Sequence, residues 1–177
     1  YIEMAPYAPI LMESKRAIGY SIEAAIADII DNSITAGASC VDIDFFPIGE
    51  SYISILDNGC GMAEKKLIHA MQYGSRSPLD IRDESDLGRY GLGMKTASLS
   101  QCRVLTVLSK KGGIISGCQW NLNHVKKSES WSLIVLDDTD MNSIPNYNKL
   151  SLYKTGTLVF WQDLDKFAVG ESNISDA

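Results

Sequence analysis

Ile53-Ser54-Ile55-Leu56-Asp57-Asn58-Gly59-Cys60-Gly61-Met62 carries an apolar strand directly into an acidic, glycine-rich turn. An Asp at a strand end can accept a hydrogen bond from an exocyclic amine such as that of adenine. Glycines without a Cβ let a flat ring come close to the backbone. The same residue types also make ordinary turns, so the stretch alone leaves both readings open. Just upstream, Cys40–Phe46 alternates Val41, Ile43 and Phe45 against Asp42 and Asp44, which reads as a half-buried strand. Pro47 and Gly49 supply a turn, so 40–56 is expected to be a hairpin.

Residues 12–36 read as one helix, with Ile18, Ile22, Ile26, Ile29 and Ile30 at helical spacing and Gly37 at the stop. Asp28, Asn32 and Thr35 share a face of it, with Asp31 offset. A carboxylate and an amide one turn apart can hold a hard cation through oxygen or orient a water. A solvated polar face is the plainer account of the same residues. Downstream, 63–72 reads as a short helix and 74–90 as a long Ser-, Gly-, Arg- and Asp-rich loop.

The second glycine stretch is Gly88-Arg89-Tyr90-Gly91-Leu92-Gly93-Met94-Lys95. Its backbone N–H groups could face phosphate oxygens, and Lys95 could add a point charge. A flexible hinge would look the same. A helix is expected over 91–101, then strands near 103–109, 113–120, 130–136 and 156–161. Residues 137–150 read as a polar connection, and Gly156-Thr157 opens the last strand. The order predicts an α+β fold, a two-layer sandwich of a mixed β-sheet covered by helices on one face.

The chain has 177 residues, 45% apolar and 21% charged, which suits one folded domain rather than a disordered segment. A net charge of -6 argues against gripping nucleic acid as the main task, so DNA is not indicated as a partner. No apolar run is long enough for a membrane span, and no signal peptide is visible. The missing initiator Met suggests a fragment or a processed chain. Cys40, Cys60, Cys102 and Cys118 lack metal-type spacing and read as reduced thiols of a cytoplasmic protein. His69 and His124 read as surface or packing residues, and Trp120, Trp131 and Trp161 as core or edge aromatics. Lys110-Lys111 and Lys126-Lys127 read as solvated turns.

In this order the motifs resemble the GHKL superfamily (gyrase, heat-shock chaperone, histidine kinase, MutL), whose ATP-binding module is the Bergerat fold. The resemblance spans about 12 to 161 and is nearest in style to the MutL and microrchidia branches. Ile29-Ile30-Asp31-Asn32-Ser33 followed by Ala36-Gly37-Ala38-Ser39 carries it, together with Lys95 after the glycine run. The resemblance implies one ATP-binding domain with ATP and Mg²⁺ as ligands. By it, Asn32 would coordinate the Mg²⁺ and Asp57 would bind the adenine amine. Gly59 and Gly61 would shape the adenine pocket, and Met62 would pack near the base. Gly88, Gly91 and Gly93 would form the lid turn around the phosphates, and residues 74–90 would be the lid itself. Lys95 would contact the terminal phosphate, and Thr157 would support the water network beside adenine.

Two departures stand out. Asp28 occupies the place where hydrolysing members carry a Glu general base, and Thr35 the place where MutL-like members carry Asp. Asp is one methylene shorter, and a misplacement of about 1 Å can cost on the order of 10²-fold in rate. The expectation is therefore a slow ATPase whose ATP-bound state closes a lid and forms a homodimer, acting through a downstream domain of a larger protein. The alternatives are a histidine-kinase catalytic domain that passes the γ-phosphate to a partner histidine, and a nucleotide sensor without turnover.

Overall fold

The computed structural model describes residues 6–17, 20–73 and 93–164. The expected hairpin forms from β1 (Val41–Phe46) and β2 (Tyr52–Asp57), paired antiparallel with Val41 opposite Asp57. β1 is less covered than its alternation suggests, because Ile43 and Phe45 are 43% and 47% exposed. It is an edge strand of the sheet.

Two helices replace the single helix expected over 12–36. α1 spans Ala8–Arg16 and α2 spans Ile22–Thr35. Ser21 starts α2 afresh: its backbone is extended and its hydroxyl accepts the Ala24 N–H at 3.2 Å. That is an ordinary serine N-cap, overshadowed by the isoleucine periodicity. α2 buries Ala25, Ile29 and Ser33, a stripe at four-residue spacing. It ends where expected, with Gly37 at φ 72° and its N–H bonded to the Ile34 carbonyl.

α3 (Glu64–Met71) and α4 (Gly93–Leu99) match the two expected central helices, and α4 stops two residues before the expected end at 101. The sheet continues through β3 (Cys102–Lys111) and β4 (Ile114–Asn121). An unforeseen α5 (Leu122–Ser128) follows, capped by the Asn121 side chain, which accepts the N–H groups of Asn123 and His124. It puts His124 on a helix rather than beside a turn, and of the strand expected over 130–136 only β5 (Ile134–Leu136) forms. The polar connection 137–150 contains α6 (Asp138–Asn142) and leads into α7 (Tyr147–Leu152), and β6 (Gly156–Leu164) closes the fold.

The α+β class holds, with two refinements. The sheet order is β1-β2-β6-β3-β4-β5, and every described pairing is antiparallel, so the sheet is not mixed. The last strand, β6, inserts between β2 and β3 and runs against both. It thereby separates two strands that share a direction and would otherwise have been parallel neighbours. The helical cover is also not confined to one face. The main core joins α2, α3 and α4 to Ile53, Ile55, Leu105, Val107, Trp120 and Trp161. The alternate residues Leu56, Leu108 and Leu158 pack on the other side against Met141 of α6 and Leu150 of α7. This is why β2 is buried along nearly its whole length.

Candidate functional site

Asp57 is the last residue of β2, opposite Thr157 in β6, on the face that carries α2. It is only 6% exposed. A carboxylate so buried needs hydrogen bonds, and three elements supply them. The Gly59 N–H donates to Oδ1 at 2.8 Å, and the Ser33 hydroxyl lies 3.0 Å from Oδ2. The backbone of Thr157 adds a third. Burial still dominates and holds the Asp57 carboxyl above the ordinary carboxylate range, with these bonds pulling the other way.

The turn after Asp57 is fastened to the end of α2. Asn58 Oδ1 accepts the N–H groups of Ser39 and Cys40 at 2.9 and 3.0 Å, and Cys60 N–H bonds to the Ala36 carbonyl at 2.9 Å. The glycines answer to this crowding. A Cβ on Gly59 would stand 2.8 Å from the Ala36 side chain, and one on Gly61 would strike the Lys110 carbonyl. Gly61 also sits at φ 57°, where an L side chain is strained. Both therefore permit close approach of the chain to itself. Met62 is tied down by its N–H, which donates to Ser109 Oγ at 2.8 Å. Ser109 Oγ in turn lies 3.0 Å from Thr157 Oγ1. Thr157 thus sits in a hydroxyl pair directly across the strands from Asp57.

Beside this network opens a cavity of about 340 Å³. Its walls are Ile29, Asn32, Ser33 and Thr35 of α2 with the C-cap Ala36, Asp57, the turn 60–62, Lys66, His69 and Ala70 of α3, Gly93, Met94 and Lys95 of α4, and Thr157 and Val159 of β6. The fold thus brings Asn32, Asp57, Gly61, Met62, Gly93, Lys95 and Thr157 to one hollow, with Gly59 just behind it. Gly88, Gly91 and the segment 74–92 lie outside the described residues. At Gly93, the first residue of α4, a Cβ would meet none of the described residues within 4 Å.

Lys95 is 1% exposed, and its amine donates to the Ala70 carbonyl at 2.6 Å. A cation on the last turn of α3 is favourably placed for that helix's carbonyl end. Asp28 is not among the cavity residues; its carboxylate accepts the Tyr20 hydroxyl at 2.6 Å. Asn32 is exposed at the cavity edge, and its Nδ2 donates to the Asp28 carbonyl at 2.8 Å.

Ser33, Ser109, Lys66 and His69 escaped the sequence reading as site residues. Ser33 had a signal: it continues the Ala25–Ile29 stripe, so a hydroxyl was due inside the core. His69 is exposed, as expected of a surface residue, and it also borders the cavity from α3. Trp120 and Trp161 are core residues as expected, at 3% and 0% exposure. Lys110 donates to the Ser151 carbonyl at 2.6 Å, and Lys126 and Lys127 are exposed. Among the described residues no cluster of three His, Cys, Asp or Glu side chains could hold a metal ion, and no helix is long and apolar enough to cross a membrane.

A family model described as "Histidine kinase-, DNA gyrase B-, and HSP90-like ATPase" matches residues 20–157. The chain is 36% identical over 93 residues to "ATPase morc-1" of Caenorhabditis elegans, covering 52% of this chain and 10% of that protein. It is 32% identical over 108 residues to the DNA mismatch repair protein MutL of Aeromonas salmonicida, covering 58% and 17%. To the DNA mismatch repair protein PMS1 of Arabidopsis thaliana it is 31% identical over 88 residues, 49% and 10%. The chain thus matches under a fifth of the length of each of these relatives. With the Asp57 turn, the Asn32 helix and Lys95 gathered around one cavity, and the match running from Tyr20 to Thr157, the chain belongs to the GHKL family of ATPases, alongside its MutL and microrchidia branches.

Proposed function

We propose that this domain binds ATP with Mg²⁺ and hydrolyses it slowly, and that the bound nucleotide closes the glycine-rich segment before Gly93 and favours dimerisation of a larger protein. The observation that carries the reading is the Asp57 carboxylate, buried, held by Ser33 and Gly59, and bordering the cavity. An acceptor fixed in this way suits the exocyclic amine of adenine, with Met62 and Val159 offering apolar surface to the ring. Thr157 and Ser109 would complete the polar side through their hydroxyls.

The phosphates would extend toward Asn32 and Lys95. The Asn32 amide nitrogen is engaged within α2, so its Oδ1 is the atom for Mg²⁺. One protein oxygen together with substrate phosphates and waters is a usual Mg²⁺ environment, and the donor set here fits it. When bound, the ion would offset phosphate charge. Lys95 would turn from the Ala70 carbonyl to the terminal phosphate. Asp28 would accept a proton from a water as its oxygen attacks the γ-phosphorus and the bond to the bridging oxygen of ADP breaks, leaving ADP and inorganic phosphate.

A second reading, nucleotide binding without turnover, is favoured by one feature: Asp28 does not line the cavity. Incubation with Mg²⁺ and γ-labelled ATP separates the two. Labelled inorganic phosphate that is lost in Asp28→Ala supports hydrolysis. Protection from thermal unfolding without phosphate release supports the sensor. Label on a protein histidine would instead mean phosphotransfer. No protection by either ATP or ADP would remove the nucleotide reading altogether.

A further inference from the structure

We infer that Tyr20 is a positioning residue for Asp28, a hydroxyl that holds one carboxylate oxygen so that the other can serve the attacking water. The inference rests on the reading of Asp28 as general base. Tyr20 precedes the cap of α2, and its hydroxyl reaches forward along the helix to Asp28 Oδ2 at 2.6 Å. A hydroxyl donating to a carboxylate at that distance is a charge-assisted bond, among the stronger kinds. The bond to Asp28 raises the Tyr20 hydroxyl above its ordinary pKa, so it remains the donor at neutral pH.

Tyr20 is itself held from two sides. Its ring packs against the main core, and its backbone carbonyl accepts Gln101 Nε2 at 2.9 Å. Gln101 is 2% exposed and sits between α4 and β3, one helical segment beyond Lys95. On the other side of Asp28, Asn32 Nδ2 bonds to the Asp28 carbonyl. Tyr20, Asp28 and Asn32 therefore form a connected row along α2, ending at the cavity edge.

A base oriented by a third group is the general arrangement for activating a nucleophile. It matters more for Asp than for Glu. The shorter side chain cannot reach as far, so its remaining freedom has to be narrowed to the one useful direction. Tyr20 supplies that restraint from outside the cavity, without occupying nucleotide space.

Tyr20→Phe isolates the idea, because the ring packing and the backbone bond to Gln101 both survive. Turnover and ATP affinity are measured for the wild type, Tyr20→Phe, Asp28→Asn and the double variant, each checked for an unchanged thermal midpoint. Tyr20→Phe is expected to lower kcat about tenfold with KM and the Kd for ATP within about twofold, a loss confined to the transition state. In the Asp28→Asn background the same change should have no further effect, since residues acting through one another are non-additive. Wild-type kcat in Tyr20→Phe, or the same tenfold loss in both backgrounds, would overturn the inference while leaving Asp28 as base. Asp28→Asn turning over like the wild type would overturn the base assignment itself, and the inference with it.

Discussion

Asp57 and Asp28 are two carboxylates of one proposed site, and the fold treats them in opposite ways. Asp57 is buried, bonded from α2, from its own turn and from β6, and borders the cavity. Asp28 is only partly buried, held through its carboxylate by Tyr20, and lies outside the cavity wall. A recognition group gains from being fixed before the ligand arrives, because nothing has to be ordered on binding. A proton acceptor has to keep access to water. The contrast teaches that the proposed binding end of this site is preorganised by the fold, whereas the proposed hydrolytic end depends on one hydrogen bond and the ligand.

The sharpest way to break this contrast is to remove each carboxylate and compare what is lost. Asp28→Ala should cost about 10²–10⁴-fold in turnover with ATP affinity nearly intact, as expected for a general base; phosphate release and equilibrium binding on the same samples decide it. Weakened binding with turnover spared would reverse the roles assigned here. Gly61→Ala attacks the preorganised end through the backbone. The φ of 57° and the Lys110 carbonyl in the path of a Cβ together predict a loss of about 2–4 kcal/mol in stability, read from the denaturant midpoint. Gly93→Ala, where no described residue stands within 4 Å of a Cβ, should be nearly silent by the same measure.

Asp57→Asn keeps the fold, since the amide oxygen can still accept from Gly59 and the amide nitrogen can donate to Ser33. It presents a donor where adenine also brings one, so ATP affinity should fall about 10- to 100-fold, the scale of a lost charged hydrogen bond. Calorimetry showing unchanged affinity would falsify the adenine assignment. Ser33→Ala is the milder version, with about 1 kcal/mol of stability at stake and a still higher Asp57 pKa, because a bond to the charged form is gone.

The smallest effect is on pH dependence. The folded Asp57 carboxyl titrates above the ordinary range, so the native chain takes up its proton before the unfolded chain does. Its contribution to stability is therefore complete below the unfolded pKa and is lost as pH rises through the folded one. Lowering the pH from neutral into this window should stabilise the ligand-free wild type relative to Asp57→Asn. ATP binding should weaken over the same window as the acceptor becomes protonated. Parallel denaturation and binding curves for the two proteins across that range would test both signs.

Several elements could be read locally because local chemistry sets them. The 41–57 hairpin has alternation and a turn, α2 ends at a glycine in the left-handed region, and α3 sits where its pattern falls. Two elements were misread because a short-range signal was outweighed. Ser21 starts α2 by capping it, but the isoleucines run on either side of it. Asn121 starts α5 in a stretch that looked like the approach to a strand. The exposed apolar residues of β1 were assigned to a buried face, since alternation reports which residues share a side and not whether anything covers it.

For the site, the family resemblance carried by the ordered motifs already pointed to Asn32, Asp57, Met62, Lys95 and Thr157, and the structure gathers these around one cavity. The sequence by itself also determined the α+β class, since periodicity and turn chemistry act over a few residues. Only the tertiary structure decided that β6 enters between β2 and β3, making the sheet antiparallel and setting Thr157 against Asp57. It alone showed that Ser33 meets Asp57, that His69 and Lys66 face the cavity, and that Asp28 is held by Tyr20. These are contacts between residues distant in sequence or on opposite sides of a cap. Their geometry comes from packing whole elements together, which no local pattern encodes.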